Sequence, residues 1–289
     1  MSKFQLKDLD VFYISFDEIN CDANWARVLQ LNPEAKRVHG VLGFDKAHRA
    51  CALASTTPRF VTIDGDNWLN DGAMEYELDD TDFPDVCFSF KSKNTLNGLA
   101  YGNGGVKVWN KEVFLASHTH ELADTTDFCW NIRYYGVDFL ASSTVNNCTP
   151  YQAWRAGYRE GVKLGYVGSL PLDDFANEQH RIPAGNLRML RIWTALGRES
   201  NNGIWGILGA RQGLYEIASK TCKNTVINDY NAMATKWAKV ENLNAELTAQ
   251  EYGLLLSDDY NFPVPELDKK VSDWVKSVFP PTRREGLIL

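Results

Sequence analysis

Two aspartates separated by one glycine, Asp64 and Asp66 in the stretch RFVTIDGDN (residues 59–67), combine type and spacing in a way that suggests chemistry. Phe60, Val61 and Ile63 form a short β-prone run that ends in this acidic pair. In an open α/β sheet, ligands bind beyond the carboxyl ends of the strands, so acids placed there are positioned to hold something. Two carboxylates on a backbone that Gly65 leaves free to bend suit a shared hard cation, Mg²⁺ or Mn²⁺, whose remaining ligands are substrate phosphates. Asp-Gly is also a turn dipeptide. The sequence supports both readings.

Other groups of polar residues invite similar questions. The run SHTHELADTTDF carries His118, His120, Glu121, Asp124 and Asp127. Two histidines at i, i+2 share a strand face, where they bind metal, act in acid–base work or serve as surface polar groups. Gly98, Gly102, Gly104 and Gly105 precede the strand-like VKVW, which fits either close backbone approach to a ligand or a bulged hairpin. Arg155 and Arg159 lie four apart in PYQAWRAGYREGVKL, sharing a helix face that suits a phosphate or ion pairs with Glu160 and surface carboxylates. Residues 171–200 add Arg181, Arg188, Arg191 and Arg198.

The elements that position these groups follow from periodicity and punctuation. DVFYISF (10–16) reads as a buried first strand, and Asp22 as the N-cap of a helix with Trp25, Val28 and Leu29 on one face. Val38 to Val41 reads as a second strand. DKAHRACALAS follows as a helix turning His48, Cys51 and Ala52 inward, and the central strand then ends at Asp64. Strand, helix, strand, helix, strand in so short a span predicts a parallel, Rossmann-like sheet. The GxGxxG fingerprint is missing, which disfavours a dinucleotide site. Glu75 to Asp85 reads as a polar surface segment and Val86, Phe88 and Phe90 as an alternating strand. From Thr149, with Pro150 at the first helical position, the chain reads as helical, and the tail PPTRREGLIL as extended. The division expected is residues 1–148 for the sheet-bearing core and 149–289 for a mainly helical extension that contributes to acceptor binding.

Composition narrows the class. The chain has 289 residues, ordinary apolar and charged fractions and a net charge of −7, as expected of a soluble globular protein. No apolar run approaches the ~18 residues of a membrane span, and the charged start MSKFQLKDLD does not resemble a signal peptide, so the expected location is the cytoplasm. Six scattered cysteines without a CxxC pair suggest neither a zinc site nor a disulfide framework. Residues 1–149 hold 13 Lys and Arg against 21 Asp and Glu, leaving 17 against 16 for the rest. A polyanion would therefore favour the second half.

Taken together, the segments DVFYISFDE, KRVHGV, VTIDGDN, LNGLAYGNGGVKVW and THELADTTDFCW resemble those of a glycosyltransferase of the GT-A fold, and are similar to GT-A-like proteins of tailed phages. Some of that group glycosylate hydroxymethylated pyrimidines in phage DNA, including arabinosyl transfer to 5-hydroxymethylcytosine. The similarity covers most of the first 210 residues, and Asp64-Gly65-Asp66 matches the DxD motif. The resemblance implies a Rossmann-type mixed sheet with helices on both faces, a UDP-sugar donor such as UDP-arabinose or UDP-glucose, and Mn²⁺ or Mg²⁺ held by Asp64 and Asp66. His120 or His180 would complete the metal shell. Ser15, Asp17, His39, Gly40 and Val41 would surround base and ribose, with Asp64 and the glycine loop, Asn103, Gly104 and Gly105, beside the donor sugar. In inverting members a carboxylate deprotonates the acceptor hydroxyl. Asp127 is the first candidate for this base, followed by Glu121 and Asp124. For a DNA acceptor, Arg155, Arg159, Arg188 and Arg191 offer phosphate contacts, and Trp154 and Trp193 stacking surfaces, although each tryptophan taken singly reads as a core residue before a platform. In a phage-infected cell the location implied is the host cytoplasm.

Other functions share parts of this pattern. A transferase acting on a glycan or protein would keep the donor site, and a sugar-nucleotide-binding protein would keep the fold without catalysis. A nucleotidyltransferase would need a basic Gly-rich loop after the first strand, and SFDEINCDAN has none.

Overall fold

The computed structural model describes residues 3–101, 105–119, 121–122, 132–167, 170, 172–278 and the backbone of Gly286–Ile288. The chain forms two compact units. One comprises the described residues up to 94, those of 100–145 and the strand Gly286–Ile288; the other comprises residues 95–99 and the described residues of 146–278. The first unit therefore ends three residues before the division expected at 148, takes a strand from the carboxyl end of the chain and gives up five residues near 97.

In chain order the first unit holds β1 (Lys3–Gln5), β2 (Asp10–Ser15), α1 (Cys21–Leu31), β3 (Lys36–His39), α2 (Phe44–Ala54), β4 (Arg59–Asp64), β5 (Asn67–Leu69), β6 (Glu77–Asp79), β7 (Cys87–Asn94), β8 (Ala100–Tyr101), β9 (Val106–Asn110), α3 (Lys111–Ala116), β10 (Tyr134–Thr144) and, last, β11 (Gly286–Ile288). The main sheet runs β11-β10-β7-β9-β4-β2-β3, with β5 added to β10 and β8 to β7, while β1 and β6 form a separate ribbon. β3, β2 and β4 are parallel. β9 is antiparallel to both β4 and β7, so the sheet is mixed. Because β3 and β4 flank β2 on opposite sides, the chain reverses direction across the sheet between β2 and β4. The crevice at such a reversal is where open α/β sheets take their ligands.

Period-two alternation sorts the side chains onto two faces. Val11, Tyr13, Val61, Ile63, Val106 and Val108 pack with Val28 of α1. Phe12, Phe60 and Trp109 pack on the other face with Cys51 and Ala52 of α2 and Phe114 of α3. Helices thus cover both faces, and His48, Cys51 and Ala52 are buried as their spacing predicts.

Several boundaries differ from expectation. Asp22 lies inside α1, whose N-cap position is Asn20, because the Asp22 carboxylate accepts a 2.8 Å hydrogen bond from Arg37 instead of capping. The second strand covers 36–39 and stops where Gly40 takes a positive φ of 74°. Within the segment read as polar surface, Asp80 is buried and accepts from Arg59 Nε at 2.6 Å. The other guanidinium nitrogens of Arg59 donate to the Val86, Phe83 and Pro84 carbonyls. A buried cation needs such complete pairing, and here it anchors the start of β4. Long β10, rich in aromatic and β-branched residues, was not expected.

In the second unit Thr149 caps α4 (Pro150–Leu164), its hydroxyl accepting from Gln152 N–H. There follow α5 (Phe175–Glu178), α6 (Ala184–Ala195), α7 (Gly203–Ala218), α8 (Tyr230–Trp237), α9 (Ala245–Tyr260) and α10 (Lys269–Val278). α4 and α7 touch backbone to backbone. A Cβ at Gly157 would lie 2.0 Å from Gly206 O, and one at Gly209 would lie 2.1 Å from Trp154 O. Among the described residues no helix is long and apolar enough to cross a membrane.

Two outcomes are expected. Asp10 Oδ2 accepts from Thr56 N at 2.6 Å and Thr56 Oγ1 at 2.8 Å, and Oδ1 faces Lys36. Burial would raise its pKa, but the Lys36 and Thr56 bonds outweigh burial and hold the carboxyl well below the usual carboxylate range. A lowered folded-state pKa contributes stability that is present above the unfolded value and lost as pH falls through the folded one. Asp10→Asn should therefore cost about 2 kcal/mol at pH 7, with the gap to the parent closing below about pH 4, as measured by urea unfolding across a pH series. Gly157→Ala should cost about 3 kcal/mol or more by overpacking the α4–α7 contact, read as a fall in thermal midpoint.

Candidate functional site

The acidic turn sits at the carboxyl end of β4, beside the end of β2. Gly65 and Asp66 form the turn that joins β4 to β5, so the Asp-Gly turn reading is realised, but not as a hairpin, since β5 pairs with β10. Every residue of the turn is fixed. Asp64 N–H donates to Gly105 O at 2.8 Å, and Asp66 O accepts from Val145 N–H at 2.7 Å. Gly65 O lies 2.6 Å from Tyr13 Oη and accepts from Asn24 Nδ2 at 2.9 Å. Burial, then the Cys21 thiol and the Glu18 and Asp66 carboxylates, push the Tyr13 hydroxyl far above its ordinary pKa. It stays protonated as a donor.

The two carboxylates are held differently. Asp66 Oδ1 accepts from Asn67 Nδ2 at 2.7 Å. The buried Asn67 is in turn oriented through its Oδ1 by the Ser142 and Ser92 hydroxyls, at 2.7 and 3.2 Å. Asp64, with its side chain 38% exposed, has Lys107 Nζ 3.6 Å from Oδ2. Gly105, expected at the donor sugar, packs directly on the turn: a Cβ there would fall 2.6 Å from Asp64 Cβ and 2.3 Å from Asn67 Nδ2. Glu18 covers Gly65, where a Cβ would meet its Oε2 at 2.7 Å, and that oxygen accepts from Phe16 N–H. Among the described residues no group of three or more His, Cys, Asp or Glu side chains is arranged to hold a metal ion. The donor set is two partly exposed carboxylates, which fits an ion whose other ligands are phosphates and water.

Beside the turn, Ser15, Arg37 and His39 form a polar cluster. Arg37 Nε donates to Ser15 Oγ at 2.9 Å, Ser15 Oγ lies 3.0 Å from His39 Nδ1, and the guanidinium carbon stands 5.8 Å from the centre of the Tyr13 ring. His39 and Gly40 are exposed, and Gly40 N–H donates to Ser15 O at 3.0 Å. Val41 is half-buried and Asp17 exposed. The structure thus places Ser15, His39 and Gly40 with the acidic turn at the β2–β4 reversal. Arg37, Asn67, Lys107 and Tyr13 were missed as contributors. The signals open to sequence reading were Arg37 two residues before His39 and Lys107 alternating with valines; neither reveals its partner.

Glu121, a candidate base, has another task. Its Oε1 and Oε2 accept from Phe44 and Asp45 N–H at 2.7 and 2.9 Å, which caps α2 from a distant segment. His118 is exposed. Asn103, Gly104, His120, Asp124 and Asp127 lie outside the described residues.

The remaining candidates belong to the second unit. His180 is exposed, with Nδ1 2.8 Å from Asn177 O. Arg155 stacks on Tyr230, 5.3 Å from the ring centre, and Arg159 donates to Ile227 O at 2.6 Å. The shared helix face of this pair is therefore directed at residues 227–230, in place of the proposed phosphate. Arg188 is half-buried and Arg191 exposed. Arg181 and Arg198 pair with Glu178 and with Glu246 and Glu266. Trp154 and Trp193 are core residues rather than stacking platforms, since each buries a large apolar surface and Trp154 Nε1 donates to Gln212.

Removing the α2 cap by Glu121→Ala should lower stability by about 1 kcal/mol, measured by thermal unfolding; a variant as stable as the parent would overturn the capping role. No protein-family model matches the chain, and no curated protein matches it in sequence.

Proposed function

We propose that the chain is a metal-dependent glycosyltransferase, moving a sugar from a UDP-sugar such as UDP-arabinose or UDP-glucose to a hydroxyl, with 5-hydroxymethylcytosine in DNA as the acceptor. The observation that carries the reading is the rigid Asp64–Asp66 turn, two partly exposed carboxylates at the strand-order reversal of a mixed α/β sheet. Asp64 and Asp66 would hold Mn²⁺ or Mg²⁺, which when bound supplies Lewis-acid neutralisation of the departing diphosphate. Ser15, Gly40 and the exposed His39 would line the nucleoside side. Arg37, stacked over Tyr13 and paired with Asp22, adds a fixed guanidinium there. Acceptor attack requires a base to take the hydroxyl proton in an inverting reaction. Because Glu121 is committed to capping α2, that role falls to Asp127 or Asp124.

The internal commitments of Arg155, Arg159, Trp154 and Trp193 remove part of the support for DNA, and favour as a second reading a glycan or protein acceptor at the same donor site. Mass spectrometry separates the two after incubation with Mn²⁺, UDP-sugars and either 5-hydroxymethylcytosine DNA or glycan acceptors. Sugar on the modified base, reduced at least a hundredfold in Asp66→Ala, is the expected result. UDP release with sugar on a glycan alone would reassign the acceptor, and failure to bind any UDP-sugar would overturn the transferase.

A further inference from the structure

Lys107 lies on β9, between β4 and β7, opposite Thr62 on one neighbour and Ser89 on the other. Its side chain is only 4% exposed, on the same face as Thr62, Asp64 and Trp109. A lysine in an interior strand loses its hydration and requires an anion, and Asp64 Oδ2, at 3.6 Å, supplies one. The separation is within ion-pair range but beyond a hydrogen bond. Among the described residues no N–H or O–H donates a hydrogen bond to the Asp64 carboxylate, so its oxygens stay open to a cation. Gly105, two residues earlier and just ahead of the strand, accepts the Asp64 N–H and fills the space against Asp64 Cβ. One short segment, Gly105 and the strand it leads into, therefore sets both the position and the electrostatics of this carboxylate.

We propose that Lys107 is a built-in competitor for the metal: its ammonium offsets the Asp64 charge, so that the acidic turn binds a divalent cation weakly until a diphosphate completes the ligand set. This inference rests on the metal-binding reading of Asp64 and Asp66. A cation on Asp64 would stand close to a second, immobile positive charge in a partly desolvated place, where like charges repel more strongly than in water. The loss of side-chain order in Asp64 when the lysine is removed works the other way, but it is the smaller effect, because the Asp64 backbone is fixed independently. Donor phosphates add the negative charge that overcomes the repulsion. Cation and nucleotide should then bind cooperatively.

The test is Mn²⁺ binding by electron paramagnetic resonance and calorimetry, with and without UDP, on the parent, Lys107→Met, Lys107→Gln and Asp64→Asn. Methionine fills nearly the same volume, and thermal unfolding checks that each variant folds. Lys107→Met and Lys107→Gln should bind Mn²⁺ about tenfold more tightly than the parent without UDP, and UDP should enhance their binding less. Asp64→Asn should bind more weakly than the parent. Unchanged or weaker binding in both folded lysine variants would overturn the inference while leaving the metal site intact. No Mn²⁺ binding by any of the four proteins, with or without UDP, would overturn the metal-binding reading and this inference together.

Discussion

The candidate site depends on one constraint, the fixing of the Asp64–Asp66 backbone by hydrogen bonds from strands far apart in sequence. Gly105 takes the Asp64 N–H, Val145 gives its N–H to Asp66, and Tyr13 and Asn24 hold Gly65 O. These donors and acceptors come from β2, α1 and the ends of β9 and β10. The full set of bonds that holds the turn therefore exists only in the assembled sheet. Its two carboxylates are presented on a backbone already ordered by folding, so ligand binding has less conformational entropy to remove.

Charge is arranged with equal economy. The half of the chain that carries the turn is strongly acidic, yet Glu18, Asp64 and Asp66 are each set against a fixed group: the Phe16 N–H, the Lys107 ammonium and the Asn67 amide. Glu121 is drawn away to α2, where the unpaired N–H groups of a helix start favour a carboxylate. Carboxylates that look interchangeable in sequence thus divide into structural caps and exposed groups.

The helical unit rests on a different principle. α4 and α7 approach until side chains vanish from the contact, Gly157 and Gly161 facing Gly206 and Ala210, with Gly209 and Gly213 against Trp154 and Tyr158. Such closeness maximises dispersion contacts between backbones. Arg211 is fully buried in this unit. Its Nε donates to Thr194 O and its Nη1 to Ala249 O and Glu266, pairing in the core a charge that composition would assign to the surface.

Sequence alone determined the parts that depend on local chemistry. Alternating and clustered apolar residues marked β2, β4, β7 and β9, Thr149-Pro150 marked the start of α4, and Asp64-Gly65-Asp66 stood out because its acids follow directly on a β-prone run. It also indicated a mixed α/β class with a helical later part. Tertiary structure alone decided who partners whom. Asp22, read from local context as a helix cap, pairs instead with Arg37, and Glu121, a base candidate only through the resemblance, caps α2, because distant segments bring these partners to them. Trp154 and Trp193 took the core role that the sequence already favoured over a stacking platform, and helix packing decided which faces they bury. Lys107 reads as one lysine among valines, and only the antiparallel pairing of β9 with β4 sets its charge against Asp64. Residue type and spacing act over a few residues, whereas burial and pairing of charges depend on segments far apart in sequence meeting in one sheet.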